Sequence, residues 1–121
     1  ASMKVNKKTV NRWGIYSKKS DINKNNFYIN DVVEKPDIKS APSNYAVIGR
    51  YILPKKIFTK LKNQKKGKGG EIHITDSIRQ LVNEGEKFIA HNFEGKYLDC
   101  GTMKGYIKSS IEVSKKWNFV W

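Results

Sequence analysis

Two short strings put carboxylates where chemistry is available. In Val33-Glu34-Lys35-Pro36 a carboxylate and an ammonium close the β-rich run from Phe27 to Val33. Neighbours on a regular strand point to opposite faces, so Glu34 and Lys35 are not a simple ion pair. Pro36 ends the strand and biases Lys35 toward an extended backbone. Glu34 then suits sugar hydroxyls as a hydrogen-bond acceptor, and Lys35 suits a phosphate as a point charge. The same two residues also fit an ordinary solvated strand end.

The second string is Leu98-Asp99-Cys100-Gly101-Thr102. It leads from an extended stretch over 88–98 into a segment with Met103, Ile107 and Ile111 four apart, which predicts strand, tight turn and helix with Thr102 as N-cap. Asp99 then stands at the carboxyl end of a strand beside a helix amino terminus, where ligands bind in open α/β sheets, and its carboxylate suits Mg²⁺. A purely structural role, stabilising the helix end through the macrodipole, fits equally well. Cys100 has no base beside it in the sequence and reads as a small buried apolar residue behind the Asp, not a nucleophile.

These strings need a scaffold. Apolar patterning predicts strands near 12–16, 27–33, 45–53 and 87–98, and helices near 54–63, 75–84 and 102–115. Ile57 and Leu61 mark the buried stripe of the first helix, with Pro54 at its start. Ile78, Leu81 and Val82 mark that of the second, with Gly85 just past its end. A polar turn over 23–26 joins the first two strands. The fold class that follows is α/β, a mixed-sheet layered domain. Residues 1–3 read as a cloning scar or start, 4–116 as the domain, and 117–121 as an aromatic tail.

Composition restricts the partners. Of the 121 residues, 24 are Lys or Arg against 11 Asp or Glu, a net charge of +13 that raises the question of nucleic acid. Only three of the basic residues are Arg, which is poor material for bidentate base readout. The seven lysines from Lys55 to Lys68 fall on the solvated face of the first helix and the loop after it. No apolar stretch approaches the ~18 residues of a membrane span, and no signal-peptide pattern is visible. One cysteine fits a reducing, cytoplasmic setting.

Two further segments give the strings a context: 41–51, Ala41-Pro42-Ser43-Asn44-Tyr45-Ala46-Val47-Ile48-Gly49-Arg50-Tyr51, and 70–76, Gly70-Glu71-Ile72-His73-Ile74-Thr75-Asp76. With the two strings, in that order, they resemble the second half of the sugar-1-phosphate nucleotidylyltransferases over about 13–114. Cys100, and a loop Gly67-Lys68-Gly69-Gly70 without the Arg that the deoxythymidylyl branch carries at Gly69, resemble the bacterial UTP:glucose-1-phosphate uridylyltransferases, or UDP-glucose pyrophosphorylases. His73 departs from the Gln usual in that branch and reads as structural.

The resemblance implies the C-terminal part of a nucleotide-diphospho-sugar transferase (Rossmann-like) fold, from an enzyme that uses Mg²⁺ to make UDP-glucose and pyrophosphate. It implies Lys35 on the sugar phosphate, Glu34 on the sugar hydroxyls, Gly14 presenting its main-chain N–H, Val47 lining the same pocket, and Asp99 as one of two carboxylates on the metal. The family's Gly-x-Gly-Thr-Arg nucleotide loop and the second Asp have no counterpart here. A missing N-terminal half, a fragment inactive alone, and glucose 1-phosphate or UDP-glucose as its ligand are therefore expected. A cut sheet with an unpaired edge, together with the aromatic tail, further predicts self-association into a homo-oligomer. A noncatalytic partner-binding remnant and a weak basic nucleic-acid module are the alternatives.

Overall fold

A computed structural model describes residues 1–117, and the aromatic tail read at 117–121 lies, beyond its first residue, outside the described residues. The long hairpin β2 (Gly14–Asp21) and β3 (Asn26–Glu34) is its backbone, turned by the polar 23–26 segment in which Asn23 Oδ1 accepts from the Asn25 and Asn26 amides. Short strands β1 (Ser2–Lys4), β4 (Tyr45–Val47) and β5 (Ile89–His91) complete a sheet of order β1-β4-β2-β3-β5. Helices α1 (Ile57–Asn63) and α2 (Ile74–Asn83) follow β4, and α3 (Met103–Trp117) follows β5. Lys7–Arg12 and Lys68–Gly70 are 3₁₀ turns.

The sheet is not mixed as the sequence suggests. Every pair of these strands is antiparallel, and the parallel component is one bridge, Ser2 to Asn92. That bridge matters for the edges. The Phe93 amide donates to the Ser2 carbonyl at 3.1 Å, so the chain leaving β5 curls round to meet β1 and the two edges cover one another. The edge expected from sequence is thus closed at β1 and β5, while among the described residues β2 beyond Tyr16 has no strand partner on its β4 side, since β4 pairs with it only at Ile15 and Tyr16. Ser2 is fully buried, and the first residues form part of the sheet.

Strand lengths follow from their neighbours. β4 stops at Val47, not near 53, because both its partners end there: Ser2 pairs with Val47 on one side, and β2 begins at Gly14 on the other. β5 is three residues long, pairing with Asn26–Tyr28 of β3, and the contact ends with the Ile29 amide donating to the Phe88 carbonyl at 3.1 Å.

Two apolar clusters hold the layers together. Tyr16, Phe27, Ile29, Val32 and Val47 pack under α1 and α2 through Ile57, Ile78 and Leu81. Val10, Ile15 and Ala46 form a smaller cluster on the opposite face. Phe27 and Ile29 share a face with Val32 in spite of the odd-to-even change, because Asn30 is an extra residue between the pairs Ser17–Asp31 and Lys18–Ile29. α1 buries Ile57 as its spacing predicts, and its lysines are partly neutralised: Lys60 pairs with Glu84, and Lys56 with Glu86.

α3 departs most from expectation. Met103, Ile107 and Ile111 form the apolar stripe, yet they are 74, 51 and 50% exposed. Ser109 is the helix's one buried residue. The helix sits down on its small-residue side, with Gly105 and Ser109 against the main chain of Asp99. Among the described residues, no helix is long and apolar enough to cross a membrane.

Candidate functional site

Hairpin register creates the site. Gly14, the first residue of β2, pairs directly with Glu34, the last of β3, and Val47 of β4 flanks Gly14 on its other side. A cleft of about 280 Å³ opens here against the amino end of α2, near the lower limit for small-ligand pockets. Three residues singled out from sequence, Gly14, Glu34 and Val47, thus line one cavity.

Gly14 stands where a side chain has little room. A Cβ there would lie 3.0 Å from Glu34 Oε2 and from Thr75 Cγ2, and 3.1 Å from Val47 Cγ2. Glu34 is held from the floor, where the buried Thr75 hydroxyl donates to Oε2 at 2.8 Å. Tyr51 stands close by. Burial, and after it the Glu34 carboxylate, keep its phenol above its usual pKa, so it stays a neutral donor. The result is a cleft with one carboxylate, a hydroxyl and a phenol, donors and acceptors of the kind that bind sugar hydroxyls. Thr75 and Tyr51 lie within motifs legible in the sequence, but their role emerges only from α2 and the segment after β4 converging on β3.

Lys35 follows Glu34 in the chain and is exposed, and it is not among the residues that line the cleft. Its backbone is not extended, contrary to the bias from Pro36: φ is +44°, the one positive value among described non-glycine residues. Such a conformation costs a non-glycine residue roughly 1–3 kcal/mol. Tertiary hydrogen bonds override the local preference. The Lys35 amide donates to the Trp13 carbonyl at 2.9 Å, and the Lys68 ammonium donates to the Lys35 carbonyl.

Asp99 lies outside the cleft and one ion pair from it. Arg12, on the cleft wall, approaches Asp99 Oδ2 at 3.7 Å. Oδ1 accepts from the Gly101 amide at 2.9 Å, closing the turn before α3, and Thr102 caps that helix as its sequence predicts, accepting from the Gly105 amide at 3.0 Å. A structural role for Asp99 is thus visible directly. Its fit to Mg²⁺ is that of a single ligand. Mg²⁺ binds through one or two carboxylates, retained waters and substrate phosphates, and no group of three or more His, Cys, Asp or Glu converges among the described residues. Cys100 is exposed, not the buried apolar residue read from sequence. The His73 ring faces the cleft and bonds through Nε2 to the Lys68 carbonyl at 2.8 Å, tying down the glycine-rich loop.

Known proteins share this arrangement of sequence and fold. The chain is 42% identical over 112 residues to UTP–glucose-1-phosphate uridylyltransferase 1 of Staphylococcus saprophyticus, which covers 93% of this chain and 38% of that protein. It is 42% identical over 110 residues to the UTP–glucose-1-phosphate uridylyltransferase of Pseudomonas aeruginosa, covering 91% and 39%. A crystal structure of UDP-glucose pyrophosphorylase complexed with UDP-glucose superposes with a TM-score of 0.88 at 41% identity, over 95% of this chain and 43% of that one. The chain spans about two-fifths of the length of these relatives. Residues 2–116 match the family described as nucleotidyl transferase, and the chain belongs to that family.

Proposed function

We propose that this chain is the sugar-phosphate-binding part of a UTP:glucose-1-phosphate uridylyltransferase. The observation that carries this reading is the convergence of Gly14, Glu34 and Val47 on one cleft backed by Thr75. Relatives named for that activity, and a structure named for its complex with UDP-glucose, support it. Absence of a glycine-rich triphosphate loop from this sequence favours placing the segment in the carboxy-terminal part of the whole enzyme. On this reading the apolar face of α3 is covered by the part of the fold that the chain does not span.

In the complete enzyme a phosphate oxygen of glucose 1-phosphate attacks the α-phosphorus of UTP. The new P–O bond gives UDP-glucose, and the bond to pyrophosphate breaks with its electron pair leaving on that group. Glu34 accepts from sugar hydroxyls, its second oxygen being oriented by Thr75. The Gly14 main chain and Val47 shape the wall, and Lys35 neutralises the sugar phosphate. These contacts hold the nucleophile in place, which is where positioning lowers the barrier. Asp99 would contribute one ligand to Mg²⁺, which when bound screens charge on phosphoryl oxygens.

Calorimetry tests the reading. The isolated chain should bind glucose 1-phosphate or UDP-glucose in preference to UTP, and Lys35→Ala should weaken that binding while Lys62→Ala, on the solvated side of α1, should not. Tight UTP binding without sugar-phosphate binding would sink it. Pyrophosphate release from UTP and glucose 1-phosphate should be absent for the isolated chain and should appear when the uncovered portion of a relative is added; full activity from the chain alone would contradict the half-site reading.

A further inference from the structure

We propose that Lys68 is a positioning residue for Lys35, a role that rests on Lys35 being the sugar-phosphate ligand. Lys35 is strained twice over: φ is positive, and a proline follows. A residue before proline left to itself relaxes to extended backbone, which turns its Cα–Cβ bond away from the present direction. Two hydrogen bonds oppose this. One is the Lys35 amide to the Trp13 carbonyl at 2.9 Å; the other is the Lys68 ammonium to the Lys35 carbonyl, 33 residues away in sequence.

Lys68 can serve because its own main chain is fixed. The His73 ring bonds to the Lys68 carbonyl at 2.8 Å. The turn around Lys68 is closed by Gly67 donating to the Glu71 carbonyl at 2.8 Å and Gly70 donating to the Gly67 carbonyl at 3.0 Å. A side chain at Gly67 would displace the Asp76 carboxylate on α2, since a Cβ would lie 2.4 Å from its Oδ2. The glycine-rich turn is therefore a bracket on the amino end of α2 that holds one ammonium against the strand end opposite. His73, the residue that departs from the pattern of the resembling branch, completes the bracket.

Positioning and direct phosphate contact by Lys68 make different demands on a double-mutant cycle. Glucose 1-phosphate binding by calorimetry is measured for the wild-type chain, Lys68→Ala, Lys68→Arg, Lys35→Ala and the double alanine variant, with thermal unfolding of each. Lys68→Ala should weaken binding about fivefold, the scale of one strained backbone position, without lowering the melting temperature. Lys68→Arg should restore it, and the double variant should bind no worse than Lys35→Ala. In parallel, the Lys35 carbonyl ¹³C shift should move, and exchange of the Lys35 amide should accelerate, in Lys68→Ala. Additive losses would assign Lys68 its own phosphate contact and overturn the proposal. Unchanged Lys35 resonances and exchange would overturn it whatever the calorimetry gives. Wild-type affinity in Lys35→Ala would instead sink the sugar-phosphate reading of Lys35, and the positioning role with it.

Discussion

Replacing Gly105 by Ala sets two physical effects against each other. Within a helix Ala is about 1 kcal/mol better than Gly, so local propensity predicts that Gly105→Ala stabilises α3. The tertiary contact predicts the reverse. A Cβ at 105 would lie 2.3 Å from the Asp99 carbonyl oxygen and 3.1 Å from Thr102 Oγ1, the capping hydroxyl. The first distance is about 1 Å short of ordinary contact. The obstacle is main chain, held in a turn by the Gly101 amide, and cannot swing aside as a long side chain would. Overpacking of this kind costs about 1–3 kcal/mol. With the propensity gain subtracted, the expected outcome is a net loss of roughly 1 kcal/mol, and it should be local, because α3 is anchored mainly through Gly105, Ser109 and the Glu112–Lys96 ion pair. Urea unfolding followed by circular dichroism gives the total, and amide exchange should show α3 loosening while the β2–β3 hairpin keeps its protection. Stabilisation by about 1 kcal/mol would refute the close approach of α3 to Asp99 and leave propensity in command.

Other expectations concern the site, the surface and the pH response. Thr75→Val keeps the shape of the cleft floor but removes the donor to Glu34 Oε2, and should cost about 1–3 kcal/mol in urea unfolding; a cost within error would mean that water already serves Glu34. Ile107→Asp, on the exposed stripe of α3, should reduce the self-association of the isolated chain in light scattering, whereas an unaltered mass would move the contact elsewhere. Burial, and then Tyr51, raise the Tyr16 pKa far above the usual 10.0. A raised folded pKa favours the protonated native state, so the contribution of Tyr16 is complete below about pH 10 and is lost as pH climbs beyond it. Spectrophotometric titration should show a late-ionising component that coincides with unfolding and is missing in Tyr16→Phe.

Patterns confined to a few neighbouring residues were legible in the sequence. The capping role of Thr102, the buried Ile57 and Ile78, and the polar turn over 23–26 depend on spacing and local hydrogen bonding, and the structure reproduces them. So did the grouping of Gly14, Glu34 and Val47, which came through resemblance to a family and which hairpin register then explains. What depends on contacts between distant segments could not be read in that way. The bulge at Asn30 breaks strand alternation, and nothing in a period of two announces it. The α3 stripe at 103, 107 and 111 reads as core-facing by periodicity alone, but periodicity states that a face is apolar and not what meets it; here Gly105 and Ser109 set the contact. Lys35 is the sharpest case. Proline after it predicts extended backbone, and two long-range hydrogen bonds, one from its amide to the Trp13 carbonyl and one from the Lys68 ammonium to its carbonyl, impose a left-handed conformation that only the assembled fold can support.

The asymmetry has one physical origin. Helix caps, turns and apolar stripes draw on energies set by residues within about four positions, so they are written in the chain itself. Strand register, edge closure between Ser2 and Asn92, and the strained Lys35 backbone draw on pairings across tens of residues, each worth little until the others have formed. Sequence therefore determined which residue types could serve a sugar phosphate and which segments are helical. Tertiary structure decided which of those residues meet: it gathered Gly14, Glu34 and Val47 over Thr75, fixed the Lys35 backbone through Trp13 and Lys68, and left Asp99 outside, joined to the cleft through Arg12.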